Sequence, residues 1–128
     1  MLSACKIGDL NAVKEIIKWG KERDMYEKYS SGSNGFMKAC FGGHLNIVKY
    51  LVEINYNIHV KDNDGSTGFT NACSGGHLNI AKYLVEINNN NNIYEKDYYG
   101  RNGFISACEE GHLNIVKYLV EINYNIHV

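Results

Sequence analysis

The chain has 128 residues and a formal net charge of −1, with 45% hydrophobic and 21% charged residues. That is enough chain for one domain with its own core and an ordinary composition for a globular protein. The near-neutral balance gives no support to a nucleic-acid or membrane-surface partner, no apolar run approaches the ~18 residues of a membrane helix, and MLSACKIGDLN lacks the apolar stretch of a secretory leader. There is no proline. Seventeen asparagines, five of them consecutive (Asn88 to Asn92), accompany abundant Ile, Lys and Tyr. Such a bias is what A/T-rich codons produce, and the asparagine run is too short to act as a low-complexity segment.

Taken in chain order, one pattern recurs. Cys5, Cys40, Cys73 and Cys108 are separated by 35, 33 and 35 residues, and Gly8, Gly43, Gly76 and Gly111 keep the same intervals, as do Leu10, Leu45, Leu78 and Leu113. A period near 33 predicts a solenoid of stacked units. Each of NGFMKACFG, TGFTNACSG and NGFISACEE reads as a short helix. Asn34, Thr67 or Asn102 is expected to cap it, and Gly43, Gly76 or Gly111 to end it in a left-handed turn. In HLNIVKYLVEI, Leu45, Val48, Leu51 and Val52, flanked by Ile47 and Ile54, form the wide apolar face of a second helix, with Lys49 and Glu53 as a solvent-facing i,i+4 pair. A polar loop follows, with one apolar residue per unit (Met25, Ile58, Ile93, Ile126) expected to be buried. The two extra residues of the first and third spacings belong in that loop, where insertions are tolerated.

Helix, glycine turn, helix and hairpin-like loop at this period resemble the ankyrin repeat, most closely over DNDGSTGFTNACSGGHLNIAKYLVE (62 to 86). The resemblance covers essentially the whole chain and implies an all-α ankyrin-repeat solenoid in a single domain, with units 1-28, 29-61, 62-96 and 97-128. Asn-Gly-Phe-Met (34 to 37), Thr-Gly-Phe-Thr (67 to 70) and Asn-Gly-Phe-Ile (102 to 105) replace the family's Thr-Pro-Leu-His. Glycine in the place of proline raises the entropy cost of starting the helix by ~0.5–1 kcal/mol, and Phe36, Phe69 and Phe104 are expected to compensate by burying more area than leucine. Asn-Tyr-Asn (55 to 57, 123 to 125) replaces the usual Gly-Ala-Asp. Val128 is expected to lie in a loop directly after an internal-type second helix, whereas the first unit's second helix carries a polar side. Solenoids usually end in polar capping units, so the chain is read either as a piece of a longer array or as one whose open end meets another surface.

GHLNIVKYLVEINYNIHV occupies residues 43 to 60 and again 111 to 128 without a change. Over residues 33 to 60 and 101 to 128 five positions differ: Ser33/Arg101, Met37/Ile105, Lys38/Ser106, Phe41/Glu109 and Gly42/Glu110. Exposed second-helix residues such as Lys49, with no evident packing reason to be fixed, are unchanged, which reads as a recent duplication. The differences run as a stripe along the first helix, where the resemblance implies a concave partner-binding face. Diversification of a binding site and neutral drift beside a homogenised second half both account for it. On the first reading the partner-binding residues are Ser33, Lys38, Phe41, Asn63, Asp64, Ser66, Ser74, Tyr98, Tyr99, Arg101, Glu109 and Glu110, with Tyr and Arg the residue types most often found as interface anchors. Lys28, Lys61 and Lys96 recur in the loops and read as a solvated edge rather than a phosphate track.

No chemistry of another kind is expected. Cys-x3-His occurs at Cys40/His44, Cys73/His77 and Cys108/His112, but a glycine turn separates each pair and two zinc ligands are lacking at each. Equivalent cysteines on stacked helices stand ~8–10 Å apart, beyond disulfide reach, and reduced thiols suit a cytoplasmic compartment. Asp62-Asn-Asp-Gly65 lacks the carboxylate a calcium loop needs at its twelfth place, which is Cys73. The expectation is a non-enzymatic module with no cofactor and no metal that binds another protein. Its rival is a structural protein that stacks on copies of itself head to tail. The composition also resembles ankyrin proteins multiplied in protists, giant viruses and host-associated bacteria, which implies a host-directed adaptor acting in host cytoplasm.

Overall fold

The computed structural model describes residues 1–88 and 91–127, the latter including backbone alone for 91–92 and 123–127. The described chain is a succession of helix pairs: α1 (Leu2–Ile7) with α2 (Leu10–Trp19), α4 (Gly35–Gly42) with α5 (Leu45–Glu53), α6 (Gly68–Gly75) with α7 (Leu78–Ile87), and α8 (Gly103–Glu110) with α9 (Leu113–His127). The short first helices α1, α4, α6 and α8 pack side by side in that order, and the second helices form a layer alongside them. No described residue belongs to a strand, and Lys28 and Asn34 form an isolated bridge.

Local chemistry starts and stops each first helix as the sequence predicts. The side-chain oxygens of Asn34, Thr67 and Asn102 accept the N–H groups of Met37 (2.9 Å), Thr70 (3.3 Å) and Ile105 (2.9 Å). Gly8, Gly43, Gly76 and Gly111 then turn the chain with φ between 77° and 85°, a region that penalises any side chain. The second helices bury the face expected of them: Ile47, Val48 and Leu51 are inaccessible, and Leu45, Val52 and Ile54 pack partly against the same core.

Three contacts, repeated from unit to unit, hold the stack. The first joins phenylalanine to glycine. The Phe36 ring and the Cys40 sulfur lie against Gly68, and Phe69 and Cys73 lie against Gly103. A Cβ at Gly103 would stand 2.7 Å from the Phe69 ring and 2.9 Å from Cys73 Sγ, and one at Gly68 would overlap the Phe36 ring outright. The glycine that weakens the helix start is therefore the seat of the previous unit's ring. Burying such a ring contributes about 1.5–3 kcal/mol, which outweighs the ~0.5–1 kcal/mol glycine costs. Met1 stands in the equivalent place of the first unit, with its terminal methyl near Gly35.

Phe104 does not behave as expected. Phe36 and Phe69 are 1% and 3% exposed, but Phe104 is 37% exposed, and among the described residues no glycine lies against its ring.

The second contact runs from the imidazole before each of the later second helices back to a carbonyl of the preceding unit. His44 Nε2 donates to Lys6 O (3.0 Å), His77 Nε2 to Phe41 O (2.8 Å) and His112 Nε2 to Ser74 O (2.9 Å). Each ring also covers the preceding turn glycine, Gly8, Gly43 or Gly76. His44 and His77 occupy the N-cap position of the second helix without capping it. Asp9 holds that place in α2 and does cap, accepting the Ala12 N–H at 3.0 Å.

The third contact explains residues that look free in the sequence. Lys14, Lys49 and Lys82 place their ammonium groups over the rings of Tyr50, Tyr83 and Tyr118 at 5.3, 5.6 and 5.3 Å, each one unit further on. Lys49 is exposed, yet it has a packing role, worth ~0.5–1 kcal/mol at such a site. Lys49 therefore does have a packing reason to be kept, contrary to the expectation from the sequence. No ion pair joins Lys49 to Glu53 among the described residues.

The loops depart further from expectation. The longer first and third loops use their extra residues for helical turns, α3 (Glu22–Tyr26) and a 3-10 turn at Asn91–Tyr94. Met25, Ile58 and Ile93 are half-buried rather than buried, and Ile126 falls outside the described side chains.

The repeated phrase takes two conformations. Its first copy leaves the helix after Glu53 through Asn55 at φ 62°, and the second stays helical from Leu113 to His127 in place of the expected loop. Long-range contacts hold the first copy. The Tyr56 ring stacks on Tyr26 (5.5 Å, 13°) and its hydroxyl donates to Met25 O at 3.1 Å. Burial pushes the Tyr56 phenol up to about 12.

Gly68→Ala tests the ring-to-glycine contact by its sign. In an open helix start the change would stabilise. Here it should destabilise by about 1–3 kcal/mol, read from urea unfolding, and the companion change Phe36→Leu should recover part of the loss. A neutral or stabilising Gly68→Ala would show that the seat is not tight.

Candidate functional site

The first-helix side of the stack ends in hairpin tips that bridge successive units. Asn63 receives its neighbour through two bonds, its N–H to Ser31 O (2.8 Å) and its side-chain amide to Ser30 O (2.9 Å), and Tyr98 N–H donates to Asp64 O (2.9 Å). Asp62 organises its own tip: Oδ1 accepts the N–H groups of Asp64 and Ser66, both at 2.9 Å. Asp97, one unit on, does the same for Tyr99 and Arg101, both at 2.9 Å. The Asp62-Asn-Asp-Gly65 stretch is thus a turn whose carboxylate is occupied by its own backbone.

Between the last two tips, α6 and α8 enclose an open cavity of about 120 Å³. Its charged wall consists of Asp62, Asp97, Glu109 and Glu110 against the single guanidinium of Arg101. Ser66, Thr70, Asn71, Ser74 and Ser106 supply hydroxyl and amide groups. Arg101 is already held in the wall: its Nε donates to Asp97 Oδ2 at 2.9 Å, a terminal nitrogen lies 3.9 Å from Glu109, and the guanidinium is 5.7 Å from the Tyr99 ring centre. Burial of Asp97 opposes its ionisation, but the backbone N–H and guanidinium of Arg101, with the Tyr99 N–H, outweigh that. The carboxyl lies below its usual range. The same partnership holds the Arg101 guanidinium above its usual value.

Of the residues expected to bind a partner, Ser66, Ser74, Arg101, Glu109 and Glu110 meet around this cavity. Asn63, Asp64, Tyr98 and Tyr99 are exposed on the tips, with Tyr98 packed over Gly65. Phe41 is 52% exposed on α4, and Lys38 is half-buried with its ammonium 4.8 Å from the Tyr29 ring. Ser33 is buried, its carbonyl accepting Tyr29 N–H at 2.9 Å, so it stands apart from the exposed set. Met37, one of the positions that differ between the copies, is buried as well, whereas its counterpart Ile105 is 37% exposed. The exposed part of the variable stripe is therefore 41 and 42 in the first copy and 101, 105, 109 and 110 in the second, with 38 and 106 half-buried. Asp97 was missed by sequence reasoning, although its place one repeat after Asp62 and four residues before Arg101 could have found it.

The cysteine and histidine of each Cys-x3-His do separate jobs. Cys5, Cys40 and Cys73 are buried and Cys108 is exposed. Burial pushes the Cys5 and Cys73 thiols up to about 11 and about 12, and the Cys40 thiol well above its usual value. Among the described residues no group of three or more metal-ligating side chains comes together, and no helix is long and apolar enough to cross a membrane. Lys28, Lys61 and Lys96 are exposed in their loops.

A family model described as ankyrin repeats (3 copies) matches residues 1–67 and again residues 37–128. The chain belongs to the ankyrin-repeat family, whose members are generally protein–protein interaction modules and typically have no enzymatic activity. A search of curated proteins finds no match.

The lowered carboxyl of Asp97 makes a pH-dependent contribution. An ion-paired carboxylate contributes stability above its unfolded value of ~3.9, and that contribution is lost as pH falls through the folded value. Asp97→Asn keeps an oxygen for the backbone bonds but removes the charge. It should melt lower than the parent chain at neutral pH, and the gap should close as pH falls below about 4. A gap unchanged down to acidic pH would contradict the Asp97–Arg101 account.

Proposed function

We propose that the chain is a non-enzymatic protein–protein interaction module, a single ankyrin-repeat domain over residues 1–128, that holds another protein on its concave face. The units are 1–28, 29–61, 62–96 and 97–128. The binding residues are the exposed tips (Asn63, Asp64, Tyr98, Tyr99) and the first-helix stripe (Lys38, Phe41, Ser66, Ser74, Arg101, Glu109, Glu110). The observation that carries the reading is a division of labour between surfaces. Second-helix residues that look free, such as Lys49 and Lys82, are engaged by the next unit. On the first-helix side, Phe41, Glu109 and Glu110 differ between near-identical copies and remain exposed. Such a partner needs neither cofactor nor metal, and the reading places it in the cytoplasm.

A second reading, end-to-end stacking of copies, is favoured by the exposed Phe104, Leu113 and Val120 of the last helix pair. The first pair fits that face poorly. It offers Asp9 and Glu15 where an internal unit offers His44 and Tyr50, so no imidazole would reach the Glu109 carbonyl.

Two variants separate the surfaces: Phe41→Ala/Tyr99→Ala/Glu110→Ala on one side and Glu53→Ala/Glu86→Ala on the other. Both should melt close to the parent chain. Crosslinked partner capture should be lost in the first and kept in the second; the reverse pattern would overturn the proposal. Light scattering should give a mass near 14.5 kDa at all concentrations, and a mass that climbs with concentration would favour stacking.

A further inference from the structure

The cavity between α6 and α8 has a charge imbalance that its own residues do not settle. Four carboxylates line it against one guanidinium. Asp97 is matched by Arg101 at 2.9 Å, and Glu109 is only distantly so, at 3.9 Å. Asp62 accepts backbone N–H groups alone, and Glu110 has no ion-pair partner among the described residues. The remaining charge comes from two sides, Asp62 from the third unit and Glu109 and Glu110 from the fourth, with Ser74 and Ser106 in the lining between them. At the places equivalent to Glu109 and Glu110 the earlier first helices carry Lys6 and Ile7, Phe41 and Gly42, and Ser74 and Gly75, so the surface changes from cationic and apolar to anionic along the stack.

We propose that this cavity receives an arginine side chain of the partner protein. The inference rests on the concave-face reading and deepens it by fixing the chemistry of one contact. A guanidinium presents five donors in a plane and has no acceptor, and it suits a site where carboxylates and hydroxyls converge from opposite walls. A cavity of about 120 Å³ admits that group and part of its stem. Arg101 cannot do the work itself, because the Asp97 carboxylate and the Tyr99 ring hold it against the wall. The partner's arginine then lies over the third and fourth units.

The probe is N-acetyl-arginine amide titrated into the isotope-labelled chain, followed by backbone amide shifts. Saturable shifts should appear at Ser66, Ser74 and Ser106, and uncharged N-acetyl-norleucine amide should not produce them. Glu109→Gln/Glu110→Gln, which touches only exposed side chains, should weaken the interaction about tenfold, as should 0.5 M salt. Absence of shifts, equal shifts with the norleucine probe, or shifts that survive in the double variant would overturn the proposal. The two readings fail separately. Without arginine-dependent shifts the cavity proposal falls while the capture experiment still decides the face. Arginine-dependent shifts together with capture indifferent to Phe41 would sink the concave-face reading and leave the cavity.

Discussion

The stack depends on how closely one first helix can approach the next. That approach is set where Phe36 meets Gly68 and Phe69 meets Gly103. A ring laid on a bare backbone brings the helices near enough for the other contacts to form. The imidazole of His77 can then reach the Phe41 carbonyl, and Lys49 the ring of Tyr83. Each later contact is modest, about 0.5–1.5 kcal/mol for a hydrogen bond and ~0.5–1 kcal/mol for a cation over an exposed ring. They add up because they repeat, in the nearest-neighbour manner of a solenoid. The Phe-Gly exchange is thus best understood as a pair of residues in successive units, not as two departures within one.

The same register shapes the proposed binding surface. Because Asn63 and Tyr98 tie each hairpin tip to the one before it, the tips stand in a row, and the two aspartates that shape them, Asp62 and Asp97, come to face one cavity. Side chains that hold the register are committed to neighbours. Of the positions that differ between the copies, Phe41 and Glu109 are exposed and can change without disturbing it, whereas a Cβ at Gly42 would stand 2.7 Å from His44 Nε2.

Much of this was legible in the sequence, for a physical reason. Period, caps and turns are local: Asn34, Thr67 and Asn102 cap, and Gly43, Gly76 and Gly111 take positive φ, because each residue's own backbone requires it. What was not legible lies between units. Lys49 looks free until Tyr83 is placed beneath it, and Phe104 looks buried but is 37% exposed. Ser33 and Met37 look like surface residues in the sequence but are buried in the fold. The repeated phrase makes the point most directly. Its letters are compatible with helix from Leu113 to His127, but they leave the helix after Glu53 where Tyr26 and Met25 hold Tyr56 in a loop. Asp97 belongs with these: its role comes from the tip it closes and the cavity that tip borders.

The central claim is that one side of the repeat is fixed by its neighbours and the other is free to serve a partner. A saturation substitution scan of the whole chain, read by resistance to proteolysis, tests it without needing to know the partner. The account predicts low tolerance at Gly68, His77, His112, Lys49 and Tyr83, and broad tolerance at positions 38, 41, 74, 106, 109 and 110. Tolerance at the histidines and lysines with sensitivity along the first-helix stripe would contradict it.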